Sequence, residues 1–555
     1  MTKKFDAIIV GGGMTGGYAA KNLCEAGLKV LLLERGPEKS HPEGYTNVEK
    51  DPWDFENRGI LTAKEKEQNP VQAHNHFYTA ATSDQFVDDI KNPYSTPEDK
   101  PFSWFRSYQL GGKSLLWARQ TYRWSDQDFK ANALDGTAIA WPIGYEDLRP
   151  YYDEVEAFMG VSGNQDGLSQ LPDGDFLPPM EMNDMEVYAQ NKLLEAWPDR
   201  NLIMGRVANL TQAHNGREAC IYRNRCTNGC PGGSYYSTLS GPLPIAQDTG
   251  NLTIRCDSIV DQIHYDKEAG RAKSVSGIDT NTMEKFEFEA SLIFVCAGTL
   301  SSTWLLLNSE RRSGIGNESG QLGHNLMDHH NCIVSAHFSG GPDTFPQGRR
   351  PTTCYLPRFR NLDDSSQLGF KRGYGFAVEI TREDWRRAYY SEDIGSDLKE
   401  NMTKWGDWRV TFIGYGETLP VHTNKVELDH DKLDHWGLPT LRVSANFNEN
   451  ENLMNKDMIE TATEMLAEFS DATPQTWRQM SVPGEAIHEM GTARMGSSRS
   501  SSVLDPFSRM WEAPNVYVTD GSGMVSSACQ NPSLTYMALT ARACEAAVKD
   551  LGIVP

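Results

Sequence analysis

Residues 5–36, FDAIIVGGGMTGGYAAKNLCEAGLKVLLLERG, limit what this chain can fold into more than any other stretch. The apolar run AIIV ends in a glycine turn, YAAKNLCEAG has the composition of a helix, and KVLLLE returns to strand. That order is a βαβ unit. Gly11, Gly13 and Gly16 form G-x-G-x-x-G at the junction, so the turn is tight and backbone N–H groups can approach a pyrophosphate. Glu34 closes the second strand at the spacing of an acid that bonds an adenosine ribose, and the absence of Arg at that position disfavours a 2′-phosphate. The motif alone does not separate FAD from NAD.

A chain of 555 residues exceeds one simple core, and two interleaved domains are expected. No apolar run approaches the length of a membrane span. The first strand is predicted from Phe5, which leaves no room for a secretory signal; the protein is then cytoplasmic, or reaches the periplasm by export with a small signal-bearing subunit. The formal charge of −22 excludes a nucleic-acid partner, which needs clustered Lys and Arg, and permits a neutral or cationic ligand or a basic electron carrier.

Residues 38–105 and 162–240 lack a clear period and read as long excursions from the first domain. Strands are expected at 251–260 and 285–298. From 331 to 483 the character changes: WRVTFIGYGE, NKVELD and LPTLRVSANF read as strands and ENLMNKDMIETATEMLAEF as an amphipathic helix. The expected architecture is α/β: a Rossmann-like dinucleotide domain at 1–330, a smaller α+β substrate domain on an antiparallel sheet at 331–483, and a return to the first domain at 484–555.

Three further segments favour FAD. SYQLGGKSLLWARQ supplies Gly111, Gly112 and Ser114, where backbone can pass beside a flat ring; CAGTLSSTWLLLNS repeats strand, glycine turn and helix at Ala297 and Gly298; Asp520 and Gly521 follow the strand NVYVT. Each alone is an ordinary turn of an α/β fold. An alcohol becomes a hydride donor as its proton leaves, so such a site needs a base poised near neutral pH and a group to hold the oxygen. His488, in HEMGTARMG, and Asn531, in NPSLT, are the candidates. Asn531 followed by Pro532 is also a favourable helix N-cap with Pro at the first helical position, and the two readings are compatible.

The N-terminal fingerprint, GGKSLLW, WPIGYEDLRPYYDEVE, AGTLSSTWLLLNS, LGHNLMDHH, HEMGTARMG and NPSLT occur in the order found in glucose-methanol-choline oxidoreductases, and the chain resembles that family over its whole length. The resemblance implies FAD, His488 as catalytic base and Asn531 as its partner. It also implies cofactor contacts at Thr15, Arg35, Leu110, Leu115, Val260, Pro532 and Ser533. Asn within NPSLT resembles the pyranose 2-oxidase and bacterial sugar-dehydrogenase branch. Pyranose 2-oxidases bind flavin covalently through a His before the Trp of the glycine segment; Leu116 stands before Trp117 here, so FAD is expected to be non-covalent.

Cys220, Cys226 and Cys230, the last followed by Pro231, resemble iron–sulfur ligation, and three thiolates suit a 3Fe-4S cluster, as in bacterial FAD sugar dehydrogenases that serve a cytochrome c. Zinc with His214, or a disulfide plus a free thiol, are the alternatives. The expected activity is oxidation of a secondary hydroxyl of a sugar or glycoside to a keto-sugar, with electrons passed to a cytochrome. An oxygen-using oxidase, a non-catalytic flavin electron-transfer subunit and a non-redox lyase are the other readings.

Overall fold

Strand Lys4–Val10 lies parallel to Val30–Leu33, with Ala7 opposite Val30, and helix Met14–Glu25 crosses between them. The computed structural model describes residues 4–553 apart from 313–314, 345–349, 364–367, 385–386, 389–390 and 470. All four residues of Val30–Leu33 are buried, because a parallel strand is covered on both faces; this explains its unbroken apolar sequence. Leu252–Arg255 pairs outside Val30–Leu33, and the long strand Lys285–Val295 lies parallel on the other flank of Lys4–Val10.

Lys285–Val295 then divides the sheet. Its first half pairs antiparallel with Arg271–Asp279, which leads to Ser258–Asp266, whereas its last three residues pair in parallel with Val516–Val518. Val10, Val295 and Val518 stand level in this register. The ladder continues one step further, with Cys296 N–H donating to Val10 O at 2.8 Å and Thr519 N–H to Val295 O at 3.3 Å. The three turns that follow, at 11–13, 296–298 and 519–521, therefore emerge side by side at the carboxyl ends of parallel strands, where such sheets bind ligands.

A second, antiparallel sheet runs in the order Gln475–Arg478, His330–Phe338, Trp408–Gly416, Tyr374–Arg382, Cys354–Leu356, Ile203–Met204. Five strands come from the 331–483 region and its border at His330; Ile203–Met204 comes from the 162–240 excursion. Helix Glu449–Ala467 buries Met454, Met458, Ala462, Met465 and Leu466 with Val334, Phe376 and Phe412 of this sheet, each large side chain contributing ~1.5–3 kcal/mol. The hairpin Lys425–Leu433 and Pro439–Ser444 forms a two-stranded sheet, is bridged at its edges by Ser95 and His324, and places Val426, Leu441 and Val443 in the core that holds Leu300 and Leu305 of the helix Thr299–Arg312. Helix Ser533–Asp550 closes the chain, with Ala543, Cys544 and Ala547 against Ala19, Ala20 and Leu23. Among the described residues no helix is long and apolar enough to cross a membrane.

Candidate active site

The glycine turn is built by close approach. Gly11 has φ +100°, and a Cβ there would lie 2.6 Å from Cys296 O; a Cβ on Gly16 would lie 1.8 Å from Gly11 O. Neither position accepts a side chain. Gly13 and Gly298 differ, since a Cβ on either would meet no protein atom within 4 Å, and a Cβ on Gly112 would meet only Gly13 Cα at 3.5 Å and Ser107 O at 3.8 Å. These three glycines leave an open cradle at the start of helix Met14–Glu25, whose first turn has neither an acidic residue nor a side-chain cap. Free N–H groups at such a helix start suit a pyrophosphate.

Glu34 is buried, and its carboxylate accepts from Gly12 N–H at 2.8 Å and Gly36 N–H at 2.9 Å. Burial outweighs those bonds and pushes the carboxyl up to about 7. A carboxylate with this surplus demand for donors fits two ribose hydroxyls. Arg35 sits beside it with Nη2 donating to Asn92 Oδ1 at 2.9 Å and Asp434 Oδ2 at 3.2 Å, its guanidinium 4.7 Å from the Tyr108 ring. It thereby ties the first excursion and the hairpin together. Val260 is buried on the strand Ser258–Asp266, whose first N–H donates to Glu34 O at 2.8 Å. The residues present fit FAD.

Gly111 N–H donates to Gly12 O at 3.0 Å, which brings the 107–120 segment to the turn. Ser114 is committed within the protein, donating to Gly111 O at 2.5 Å and accepting from Thr238 N–H at 3.0 Å. Leu110 and Leu115 pack in the core of the first sheet, and Thr15 is buried in the first turn of its helix. Asp520 is also committed: Oδ2 takes Gly298 N–H at 2.9 Å and the Ser302 hydroxyl, and Oδ1 takes Ser522 N–H at 3.0 Å. Its carboxylate locks the turns beyond Val295 and Val518 together, with Ala297 and Gly521 beside it.

The HEMGTARMG loop is gripped on two sides. Met490 and Met327 exchange backbone hydrogen bonds of 2.9 Å, and Gly491 and Ala493 donate to Gly521 O and Ser522 O at 2.9 and 2.8 Å. Asp328 holds the approach to His488: Oδ2 accepts from Gly484 N–H at 2.8 Å and Ala486 N–H at 3.2 Å, and Oδ1 from His488 N–H at 2.9 Å. The structure brings His488 and Asn531 together, with His488 Nε2 3.3 Å from Asn531 Nδ2. On the other side of the ring His488 Nδ1 is 2.9 Å from His329 Nδ1, and His329 Nε2 is 3.2 Å from Ser527 O. Tyr415, on the strand beside His330–Phe338, places its ring 5.9 Å from that of His488.

Burial, then His329, then Lys113 hold the His488 imidazole well below its ordinary proton affinity. Burial takes His329 down to about 4. Burial and the neighbouring Glu489 push Asp328 up to about 7. Lys113 neutralises Glu489, with Nζ 2.9 Å from Oε2.

One expectation is corrected. Asn531 does not cap the closing helix: among the described residues no side chain caps it, Pro532 occupies the cap position before Ser533, and the Asn531 amide turns to His488 instead. The 3Fe-4S cluster expected at Cys220, Cys226 and Cys230 is not supported. Among the described residues no group of three or more His, Cys, Asp or Glu is arranged to hold a metal ion, and all ten cysteines are free. Tyr222, Asn224 and Gly229 take positive φ, and the ion pairs Arg223 to Glu49 and Arg225 to Asp51 hold this loop over the 41–51 excursion. His214 turns away, with Nε2 2.7 Å from Ala157 O.

Reading the sequence passed over Asp328, His329, Lys113 and Tyr415. The signal for the first two was present in LGHNLMDHH, three adjacent ionisable residues between a glycine turn and an apolar strand.

The description GMC oxidoreductase belongs to both family models that match the chain, over residues 5–331 and 420–540. A 2-methyl-1,2-propanediol dehydrogenase of Mycolicibacterium austroafricanum is 29% identical, covering 97% of this chain and 94% of that protein. The fructose dehydrogenase large subunit of Gluconobacter japonicus is 24% identical, covering 99% of each. The solved structure of a formate oxidase from Aspergillus oryzae shares the fold, with a TM-score of 0.65 at 16% identity over all of both chains.

Proposed function

The chain belongs to the GMC oxidoreductase family, and from that premise we propose that it is an FAD-dependent dehydrogenase oxidising a hydroxyl of a sugar or glycoside, a secondary hydroxyl giving a keto-sugar. The observation that carries this reading is the pair His488 Nε2 and Asn531 Nδ2, 3.3 Å apart at the converging loops. FAD, when bound, supplies the acceptor for the carbinol hydride. His488 takes the hydroxyl proton at Nε2, and Asn531 donates from Nδ2 to hold the oxygen. Because burial keeps the imidazole neutral, the base is ready at neutral pH. Helix Ser533–Asp550 starts beside Asn531 with no acidic residue in its first turn, and adds positive partial charge where negative charge develops.

The names of the two relatives support a polyhydroxylated substrate and a carrier other than oxygen, which we take to be a cytochrome-type protein. Leu116 is buried and apolar, so it offers no atom to bond a flavin ring, and the FAD is non-covalent. Acid precipitation should release the flavin to the supernatant; a yellow pellet contradicts the non-covalent assignment. The central test is anaerobic bleaching of bound flavin against a panel of sugars, glycosides and polyols, with the product identified by NMR. His488→Ala should retain FAD and lose ~10²–10⁴-fold in bleaching rate. Near-normal bleaching would remove His488 as the base, and peroxide formed in air at the rate of turnover would replace the dehydrogenase with an oxidase.

A further inference from the structure

We propose that His329 is a positioning residue that holds His488 in its Nδ1–H tautomer, so that the Nε2 lone pair is always the one presented to Asn531 and to the substrate hydroxyl. The proposal rests on His488 being the base. Four groups form one line, and their chemistry fixes each proton. Ser527 O can only accept, so His329 Nε2, 3.2 Å away, carries a proton. A neutral imidazole has one N–H, so His329 Nδ1 bears a lone pair. His488 Nδ1 lies 2.9 Å from it, and a hydrogen bond at that distance requires the proton on His488. His488 Nε2 is then unprotonated, and the Asn531 amide donates to it at 3.3 Å. Read in order, Asn531 donates to His488, His488 to His329, and His329 to the Ser527 carbonyl.

The line depends on His329 being neutral. Its ring is fully buried, and burial lowers its proton affinity to about 4, so it is neutral at neutral pH. It also depends on no better acceptor reaching His488 Nδ1. The nearby carboxylate of Asp328 is spent on three backbone N–H groups, at Gly484, Ala486 and His488, and Glu489 is paired with Lys113. In Ser–His–Asp sites a carboxylate holds the equivalent nitrogen and stabilises the imidazolium that forms. A neutral imidazole sets the same tautomer without that stabilisation. His488 therefore receives the substrate proton at the correct nitrogen and does not retain it after turnover.

The test uses holoenzyme with ¹⁵N-labelled histidine, together with His329→Leu, which fills the space without an acceptor, and His329→Gln, whose Oε1 can accept from His488 while its amide donates to Ser527. In the wild type the His488 Nδ1 signal should be of the protonated, pyrrole type and Nε2 of the unprotonated, pyridine type. His329→Leu should mix or reverse the two and lower kcat for flavin reduction roughly 10- to 100-fold with KM little changed, short of the ~10⁴-fold cost of a locked wrong tautomer. His329→Gln should restore both signals and most of kcat. A wild-type spectrum with the proton on Nε2, or His329→Leu keeping the wild-type pattern and rate, overturns the proposal; the first readout stands even where the Leu variant does not fold. Failure of the underlying reading is separate, since His488→Ala with normal bleaching removes the base while leaving the wild-type tautomer signal as measured.

Discussion

Acid should unfold this protein through two adjacent histidines, and the size of the effect can be worked from their burial. His329 and His330 are both fully buried, which lowers their proton affinities to about 4 and about 3, against about 6.5 in an unfolded chain. A folded-state value below the unfolded one means that the stability is complete above pH 6.5 and is lost as pH falls, down to about 4 for His329 and about 3 for His330. At pH 5 each ring costs about 2 kcal/mol, and the pair about 4 kcal/mol. His330 can be removed without touching the proposed proton line. Among the described residues neither of its ring nitrogens has a hydrogen-bond partner, and it packs between Phe447 and the Gly416 backbone. His330→Leu should therefore raise stability at pH 7 by about 1–3 kcal/mol, the cost of an unsatisfied buried polar group. It should also shrink the loss between pH 7 and pH 5 by about 2 kcal/mol. Urea titrations followed by tryptophan fluorescence at pH 7, 6 and 5, at fixed FAD concentration because bound ligand adds to apparent stability, read both quantities. Parallel pH curves for the two proteins would refute the reasoning, because they would show that His330 does not take up its proton on unfolding.

The glycines of the cradle should separate into two classes. Gly16→Ala forces a Cβ to 1.8 Å from Gly11 O and should abolish FAD incorporation, seen as loss of the flavin absorbance in purified protein. Gly298→Ala meets no protein atom but keeps φ +87°, so the chain should fold with a strain of ~1–2 kcal/mol and a weakened FAD affinity, read by flavin fluorescence titration. Arg372 joins Glu417, just past the strand Trp408–Gly416, to Asp135 and Asn132 of the helix Asp126–Asp135, all at low exposure; Arg372→Leu removes the ion pair of the buried Glu417 carboxylate and should cost about 3–5 kcal/mol, visible as a lowered Tm.

The βαβ unit was legible because its signals are local: alternation, glycine spacing and a closing acid all fall within 32 residues. The glycine segments at 111, 298 and 521 were legible as turns but not as neighbours. The register that levels Val10, Val295 and Val518 brings the turns at 298 and 521 beside the first, and Gly111 N–H donating to Gly12 O adds the 107–120 segment. Ile203–Met204 could not have been assigned to the second sheet, since two residues carry no period and their place is set by partners about 150 positions away. The hairpin at 425–444 was legible as strands, but its packing on the helix Thr299–Arg312 is decided by Trp304 donating to Pro439 O at 2.7 Å and by which face meets Leu305. Asn531 was misread as a cap because the Asn-Pro pattern satisfies the local rule, while the side chain answers to His488, 43 positions earlier.

The site also explains why its most informative residues break local rules. Ile487, immediately before His488, has φ +63°, a conformation that costs a β-branched residue on the order of 1–3 kcal/mol. Thr492 and Ala528 lie close to the same loops and also take positive φ. No glycine relieves these positions, so the surrounding bonds must hold them. Asp328 does this on the His488 side through three backbone N–H groups, and Met490, Gly491 and Ala493 do so by their bonds to Met327 and to the 521–523 turn. Asp328 is therefore poorly placed as an acid or base despite a proton affinity near neutral pH: its oxygens are occupied in fixing where His488 stands. The charge that a simple catalytic motif would place against the imidazole has been spent on the backbone, and the uncharged His329 takes the position next to the base.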